Sequence, residues 1–432
     1  MASRNVGRRR ADRRPNRRRA VEIPRGHGHG HGHAHGHGHG DHVVDTSVVN
    51  SDAIVARRVR IVVAAVLVPL IVAAVVSLIV LWPGGDVKVA SYQTSSARGQ
   101  ITALKPCADA RDKCNLATVK LSNGADKGKA VPVQVPKAGG APIPVKVGQE
   151  VMLAVQKDAP PDQKYQYVDH DRIKPLLILA VIFAVAVVAL SRWRGFAALI
   201  ALAVTAVMLT QFILPAILRG SNPLLVAVVG GAVIMTIAVF LTHGINAESS
   251  IALAGTIAAL GLTVLLGWFF TGFSQLSGLA AEGASTAQQF SPHLDLAGLL
   301  VAGMVIGALG VLDDVTVTQA AAVWELSAAN PAASRRELMS AGLRIGRTHV
   351  ASVVNTLVLA YAGAAMPVLL VFAIQDLPVV TVISTEAVAM EVVRGLVGSL
   401  GIIAAVPLTT ALAAMAVADR SRDLVGTPEP VA

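Results

Sequence analysis

Two adjacent carboxylates, Asp313 and Asp314, end a glycine-spaced apolar run, LLVAGMVIGALGVLDD. Thr316, Thr318 and Gln319 follow at once. Four guanidinium groups come next, Arg335, Arg336, Arg344 and Arg347, and then a polar-studded apolar stretch, VNTLVLAYAG, with Asn355, Thr356 and Tyr361. A charge beside or inside a membrane span is costly and requires a partner, a cation, a proton or water. These residue types fit two tasks. An acid in such a setting binds a proton or a coupling cation, and an arginine balances it or engages an anionic substrate. Asp313, Asp314, Thr318, Arg347, Asn355 and Thr356 therefore form the candidate substrate or ion site. A blander account competes with it. If a second helix starts at Asp313, one of the two carboxylates caps it, because the first backbone N–H groups and the helix dipole favour an anion. The other is then free for Arg344 or Arg347, a cation or a proton. Interhelical hydrogen bonding explains Asn355, Thr356 and Tyr361 without any ligand.

What has to position these groups is a set of membrane spans. The chain has 432 residues, 53% hydrophobic and 15% charged, where a soluble domain carries about 25% charged. Several runs long enough to cross a bilayer contain almost no charge. The first is about 59–82, with Arg57, Arg58 and Arg60 at its start and Trp82 closing it. The long basic lead-in and the missing small-residue cleavage site make it a signal anchor, bent by Pro69, rather than a cleaved signal peptide. Seven more follow at 173–191, 195–218, 223–242, 249–270, 295–312, 348–373 and 395–418. Among the loops after the second span begins, 192–194, 313–347 and 419–432 hold most of the arginines, with only Arg219 and Arg394 on the opposite side. That asymmetry predicts both ends in the cytoplasm. The 243–248 loop carries no Lys or Arg and contributes nothing to the orientation. Segment 313–329 is too polar and too short to cross alone, so 313–345 is expected along the cytoplasmic surface or as a re-entrant piece within the 173–418 bundle.

Between the first and second spans, residues 83–172 alternate in the manner of short strands, with turns at Asn123-Gly124 and Gly139-Gly140. A small extracytoplasmic β domain, an OB-like barrel or a sandwich, is expected. It holds both cysteines, Cys107 and Cys114, and the predicted topology sets it where a disulfide persists. Asp169, His170 and Asp171 precede the second span and read as a polar hinge rather than a cation site. The fold class is thus a mostly α-helical polytopic membrane protein of about eight transmembrane helices with a small external β domain.

Residues 1–58 are Arg-rich and then Gly/His-rich, with few apolar groups to bury, and read as a disordered cytoplasmic tail. His27, His29, His31, His33, His35, His37, His39 and His42 alternate with small residues, so their imidazoles can converge on zinc or another divalent metal. Much of the formal net charge of +10 sits in residues 1–25. Beside a first span such runs set orientation and meet anionic lipid, so the bilayer is the expected partner and nucleic acid is not. The chain has no phosphate-cradling glycine loop and no Ser/His/Asp setting, and an enzyme is not expected.

The strings THGINAESSIALAGTIAAL, GMVIGALGVLDDVTVTQAAAVWEL and IGRTHVASVVNTLVLAYAG, with the YVDHDR lead-in to the second span, resemble the YibE/F family of bacterial membrane proteins. The resemblance covers most of 83–418 and leaves out the His-rich tail. It implies a multi-span inner-membrane protein with an extracytoplasmic domain after its first span, described as a permease with no established substrate. It carries over to Asp314, in the string Asp314-Val315-Thr316, and to Arg347, Asn355 and Thr356. Many members have an acid shortly after the arginine. Here Thr348-His349 stand in its place, so that pairing is not carried over. The leading reading is a permease that does not itself hydrolyse ATP, with a charged site near Asp314. Two others compete: an envelope scaffold that docks a protein partner or a second copy, and divalent-metal handling by the tail.

Overall fold

The computed structural model describes residues 46–84, 95–106, 115–135, 137–138, 141–156, 159–160 and 163–424. The His-rich stretch and both Cys107 and Cys114 lie outside the described residues.

Helix α1 (Thr46–Leu81) comes first. Seven strands follow: β1 (Ser95–Pro106), β2 (Asn115–Leu121), β3 (Ala130–Val135), β4 (Lys137–Ala138), β5 (Ala141–Pro142), β6 (Glu150–Val155) and β7 (Tyr165–His170). Five of them make one antiparallel sheet in the order β3-β2-β1-β6-β7, and β4 pairs with β5. The sheet curls so that edge strand β3 lies against edge strand β7. Period-two alternation gives the curled sheet one apolar face. Ile101, Val119, Val133, Val151 and Leu153 turn inward and are essentially fully buried. Asp126 ties the edge by accepting hydrogen bonds from Lys129 (2.7 Å), Lys164 (2.7 Å) and the Tyr165 hydroxyl (2.6 Å). Those donors hold its carboxyl well below the usual carboxylate range. The polar hinge is satisfied by protein groups. Asp169 pairs with Arg172 at 2.6 Å, Asp171 pairs with Arg98 at 3.5 Å, and His170 meets the Tyr167 hydroxyl and Gln149.

The rest is helical: α2 (Ile173–Val207), a π-helical stretch Met208–Ile213, α3 (Leu214–Leu218), α4 (Pro223–His243), α5 (Ala247–Phe273), the short α6 (Ala284–Phe290), α7 (Leu296–Ala329), α8 (Arg335–Ala364), α9 (Met366–Ile374), α10 (Val379–Ser384) and α11 (Glu386–Leu424). Six of the described helical runs are long and apolar enough to cross a membrane, and a seventh is reached if α8 and α9, bent by 57° at their junction, count as one. Ile173–Leu218 counts as a single run of 46 residues, yet Arg192 inside it has a positive φ of 52°. A Cβ on Gly195 would meet the Val187 carbonyl oxygen. In a straight helix those positions lie about 12 Å apart, so the chain turns back at Arg192.

Helices α5, α7, α8 and α11 form the core of the bundle. Glycines bring their backbones together, as small residues do in membrane interiors. Gly255 lies on Thr409, Gly401 on Thr263, Gly342 on Thr410 and Val323, and Gly346 on Val406 and Gln319. Helix α1 joins this core through Leu67, and Trp82 stacks on Phe212 with ring centroids 5.7 Å apart.

One expectation is overturned. No helix starts at Asp313. Helix α7 runs unbroken from Leu296 to Ala329, its N-cap is Asp295, whose side chain accepts from the Gly298 N–H at 2.8 Å, and the next helix begins at Arg335 behind the Ser334–Glu337 capping box. Neither Asp313 nor Asp314 is a cap. A break at that depth would strand backbone N–H and C=O groups away from water, and the continuous ladder avoids the penalty.

Candidate functional site

Helices α7 and α8 run antiparallel. Gly307 faces the Tyr361 hydroxyl near one end, and Gly346 faces Gln319 near the other. Asp313 sits midway between Gly307 and Gln319, and the midpoint between Gly346 and Tyr361 on α8 falls at Val353–Val354. The depth follows from α5, which starts at Ala247 just after the α4–α5 turn. Thr256 of α5 meets Thr316 of α7, so Asp313 and Asp314 lie about three helical turns in from that turn.

The two carboxylates differ. Asp313 is half-buried between the fully buried Leu312 and Val315, and its Oδ1 is buried with no hydrogen-bond donor. Asp314 is exposed, with exposed Thr318 one turn further along the same face. Neither takes part in an ion pair among the described residues. The expected pairing with the downstream arginines is therefore not formed, and register gives the reason. Arg335 lies on the order of 27 Å of helix rise from the level of Asp313, and Arg347 about 10 Å. Closeness in sequence across a helix–turn–helix is not closeness in depth.

Beside Asp313 runs a buried polar track. The Thr256 and Thr316 hydroxyls meet at 2.6 Å, and both residues are fully buried. Thr316 also donates to the Asp313 carbonyl at 3.2 Å. One turn on, Gln319 is 2% exposed, and its amide donates to the Gly342 carbonyl (2.9 Å) and to Thr410 Oγ1 (2.8 Å). Thr410 in turn donates to the Val406 carbonyl at 2.6 Å.

Outside this core, α7 and α8 enclose an open groove of about 600 Å³ lined by Thr318, Gln319, Ile345, Thr348, His349 and Ser352. Arg347, Asn355 and Thr356 stand on the exposed face of α8, and the Thr356 hydroxyl donates to the Ser352 carbonyl at 3.0 Å. Of the six candidate residues, Thr318 alone lines the groove. Asp314 stands a turn from it, Asp313 turns inward, and the three α8 residues face outward.

Two features escaped sequence reading. Thr256 and Thr410 complete the track from α5 and α11, and only packing brings them to α7. The second feature is an ion pair, Glu391–Arg394, at 2.9 Å inside α11, with the Arg394 guanidinium 5.9 Å from the centre of the Tyr361 ring. Glu391 Oε2 and Arg394 Nε are both buried without a partner. Glu391 and Tyr361 border an almost wholly apolar groove of about 290 Å³ between α8, α9 and α11. The i, i+3 spacing of opposite charges was the signal available. The span expected at 395–418 leaves Glu391 and Arg394 outside it, whereas the helix starts at Glu386. Among the described residues no three His, Cys, Asp or Glu side chains gather to hold a metal ion.

A family model described as YibE/F-like protein matches residues 179–419. The match takes in every residue of the candidate site and leaves out α1 and the sheet. No curated protein and no solved structure matches the chain.

Proposed function

The chain belongs to the YibE/F-like family, and from that premise we propose that it is a permease of the bacterial inner membrane, with a proton or monovalent cation bound at Asp313. The observation that carries this reading is the buried Asp313 Oδ1 that no protein group serves. A carboxylate in an apolar layer is expensive unless a cation or proton attends it. The neighbouring Thr316 and Thr256 hydroxyls supply oxygens of the kind a hard cation takes. The groove between α7 and α8 is the route by which solute reaches this layer. The role assigned on sequence to Asp314 passes to Asp313, the buried member of the pair. No chemical step on the solute is assigned to any residue.

Eight crossings belong to this proposal. The reversal at Arg192 divides Ile173–Leu218 into two, and α8 with α9 supplies one more. An even number keeps both ends on one side, and the arginine distribution assigns that side to the cytoplasm.

The test is thermal unfolding of the purified full chain in detergent, with sodium, potassium and lithium salts each titrated at several pH values. A ligand that binds only the folded form stabilises it by about 2.7 kcal/mol at a hundred times its Kd. The expected result is a cation- or proton-dependent rise in the wild type, absent in Asp313→Asn and kept when residues 1–42 are deleted. Equal shifts in the wild type and Asp313→Asn would sink the assignment.

A further inference from the structure

The exposed face of α8 changes character along its length. Arg344, Arg347, Thr348, Ser352, Asn355 and Thr356 are exposed, with the apolar Ile345 and Ala351 exposed among them, and beyond them the exposed residues become Val358, Leu359 and Ala360. The polar part runs level with Asp313 and Asp314, well inside the bilayer by the register derived above. Lipid tails offer no hydrogen bonds, so a polar face at that depth is covered by protein or by water held in protein. Asp314 stands a turn from the groove and Arg347 on the exposed face of α8; they carry opposite charges and have no ion-pair partner among the described residues.

We propose that a second copy of this chain covers this face, forming an isologous dimer in the bilayer in which Asp314 of one copy pairs with Arg347 of the partner subunit. A two-fold axis along the membrane normal, close to Ser352, makes the contact self-complementary, so the Asp314–Arg347 pair forms twice. Parallel packing keeps depth matched between copies. Asp314 and Arg347 differ by about five residues of rise, on the order of 8 Å, which an extended arginine side chain bridges. The same contact closes the open side of the groove against lipid. The inference rests on the membrane placement of α7 and α8 and not on transport.

Cross-linking in native membranes tests it. Ser352→Cys is introduced into the full chain with Cys107 and Cys114 replaced by serine, and Leu179→Cys in the same background serves as the control on the apolar face of α2. Copper-phenanthroline oxidation is expected to give at least ten-fold more covalent dimer at Ser352→Cys than at Leu179→Cys. Asp314→Arg and Arg347→Asp are each expected to lower the Ser352→Cys dimer yield several-fold, and the double reversal to restore it. Equal yields at the two cysteine positions would overturn the proposal, as would single reversals that leave the yield unchanged. The readout contains neither cation nor solute. A dimer that shows no cation response therefore counts against the permease reading alone, and a cation-responsive monomer against the dimer alone.

Discussion

The first half of α2 and the middle of α8 are both exposed, and they expose opposite chemistry. On α2 the outward residues are Leu176, Leu177, Ile178, Leu179, Val181 and Ile182, each more than half exposed. On α8 they are mostly arginine, threonine, serine and asparagine, with Ile345 and Ala351 among them. For a soluble protein the α2 surface would be the anomaly. In a bilayer the roles reverse: apolar side chains facing lipid need no further account, and a polar face does. Exposure therefore means contentment for one helix and an unmet requirement for the other.

The carboxylates repeat the contrast. In the sheet, Asp126, Asp169 and Asp171 each hold a cationic partner. In the bundle, Asp313 and Asp314 hold none among the described residues. A surface ion pair contributes little to stability, so the sheet pairs shape the strand edge and the hinge rather than anchor the fold. A lone carboxylate at membrane depth costs far more, which is why it reads as functional.

The largest effect that would break the comparison is a charge on the lipid face. Ile182→Arg is expected to cost about 2.5–3.5 kcal/mol of insertion free energy, whereas Thr348→Arg on the polar face of α8 is expected to cost less. Insertion measured with a glycosylation reporter checks both, and equal costs would remove the distinction between the two faces. Next comes the glycine seam. A side chain at Gly346 would meet Val406 and Gln319, so Gly346→Val is expected to destabilise the bundle by about 1–3 kcal/mol. Thermal unfolding in detergent reads that loss, and an unchanged midpoint would show that α8 does not depend on this contact.

The smallest effect lies in the sheet. Arg172 and the His170 backbone N–H hold the Asp169 carboxyl at about 2, below its ordinary value of 3.8. Because the folded value is the lower one, its contribution is complete above the ordinary value and fades as pH falls toward about 2. Asp126 shifts in the same direction through Lys129, Lys164 and Tyr165. Near-ultraviolet circular dichroism of Tyr165 and Tyr167 in the full chain is expected to change below about pH 4, and to change over a different range in Asp126→Asn. An identical acid titration in that variant would mean that the pairs contribute nothing.

Much of this was legible beforehand. The apolar runs, the alternation that makes the sheet, the turn at Arg192 and the polar content of Asp313 to Thr356 all appear in one dimension, because helix period, strand period and the cost of burying charge are local properties. The helix through Asp313 was not legible. Adjacent acids after a glycine-spaced run carry the composition of a helix start, and only the lack of water at that depth makes the continuous ladder cheaper.

Composition and periodicity are enough to say that this chain crosses a membrane, that a small sheet follows its first helix, and that its unusual charges gather between Asp313 and Arg347. The tertiary structure alone decided which of those charges meet. It set Asp313 inward and Asp314 outward, kept both from the arginines, and brought Thr256 and Thr410 from distant helices to Thr316 and Gln319. The reason is physical: composition sets what each residue costs, but the glycines at which the antiparallel helices touch set the register, and register decides who pairs.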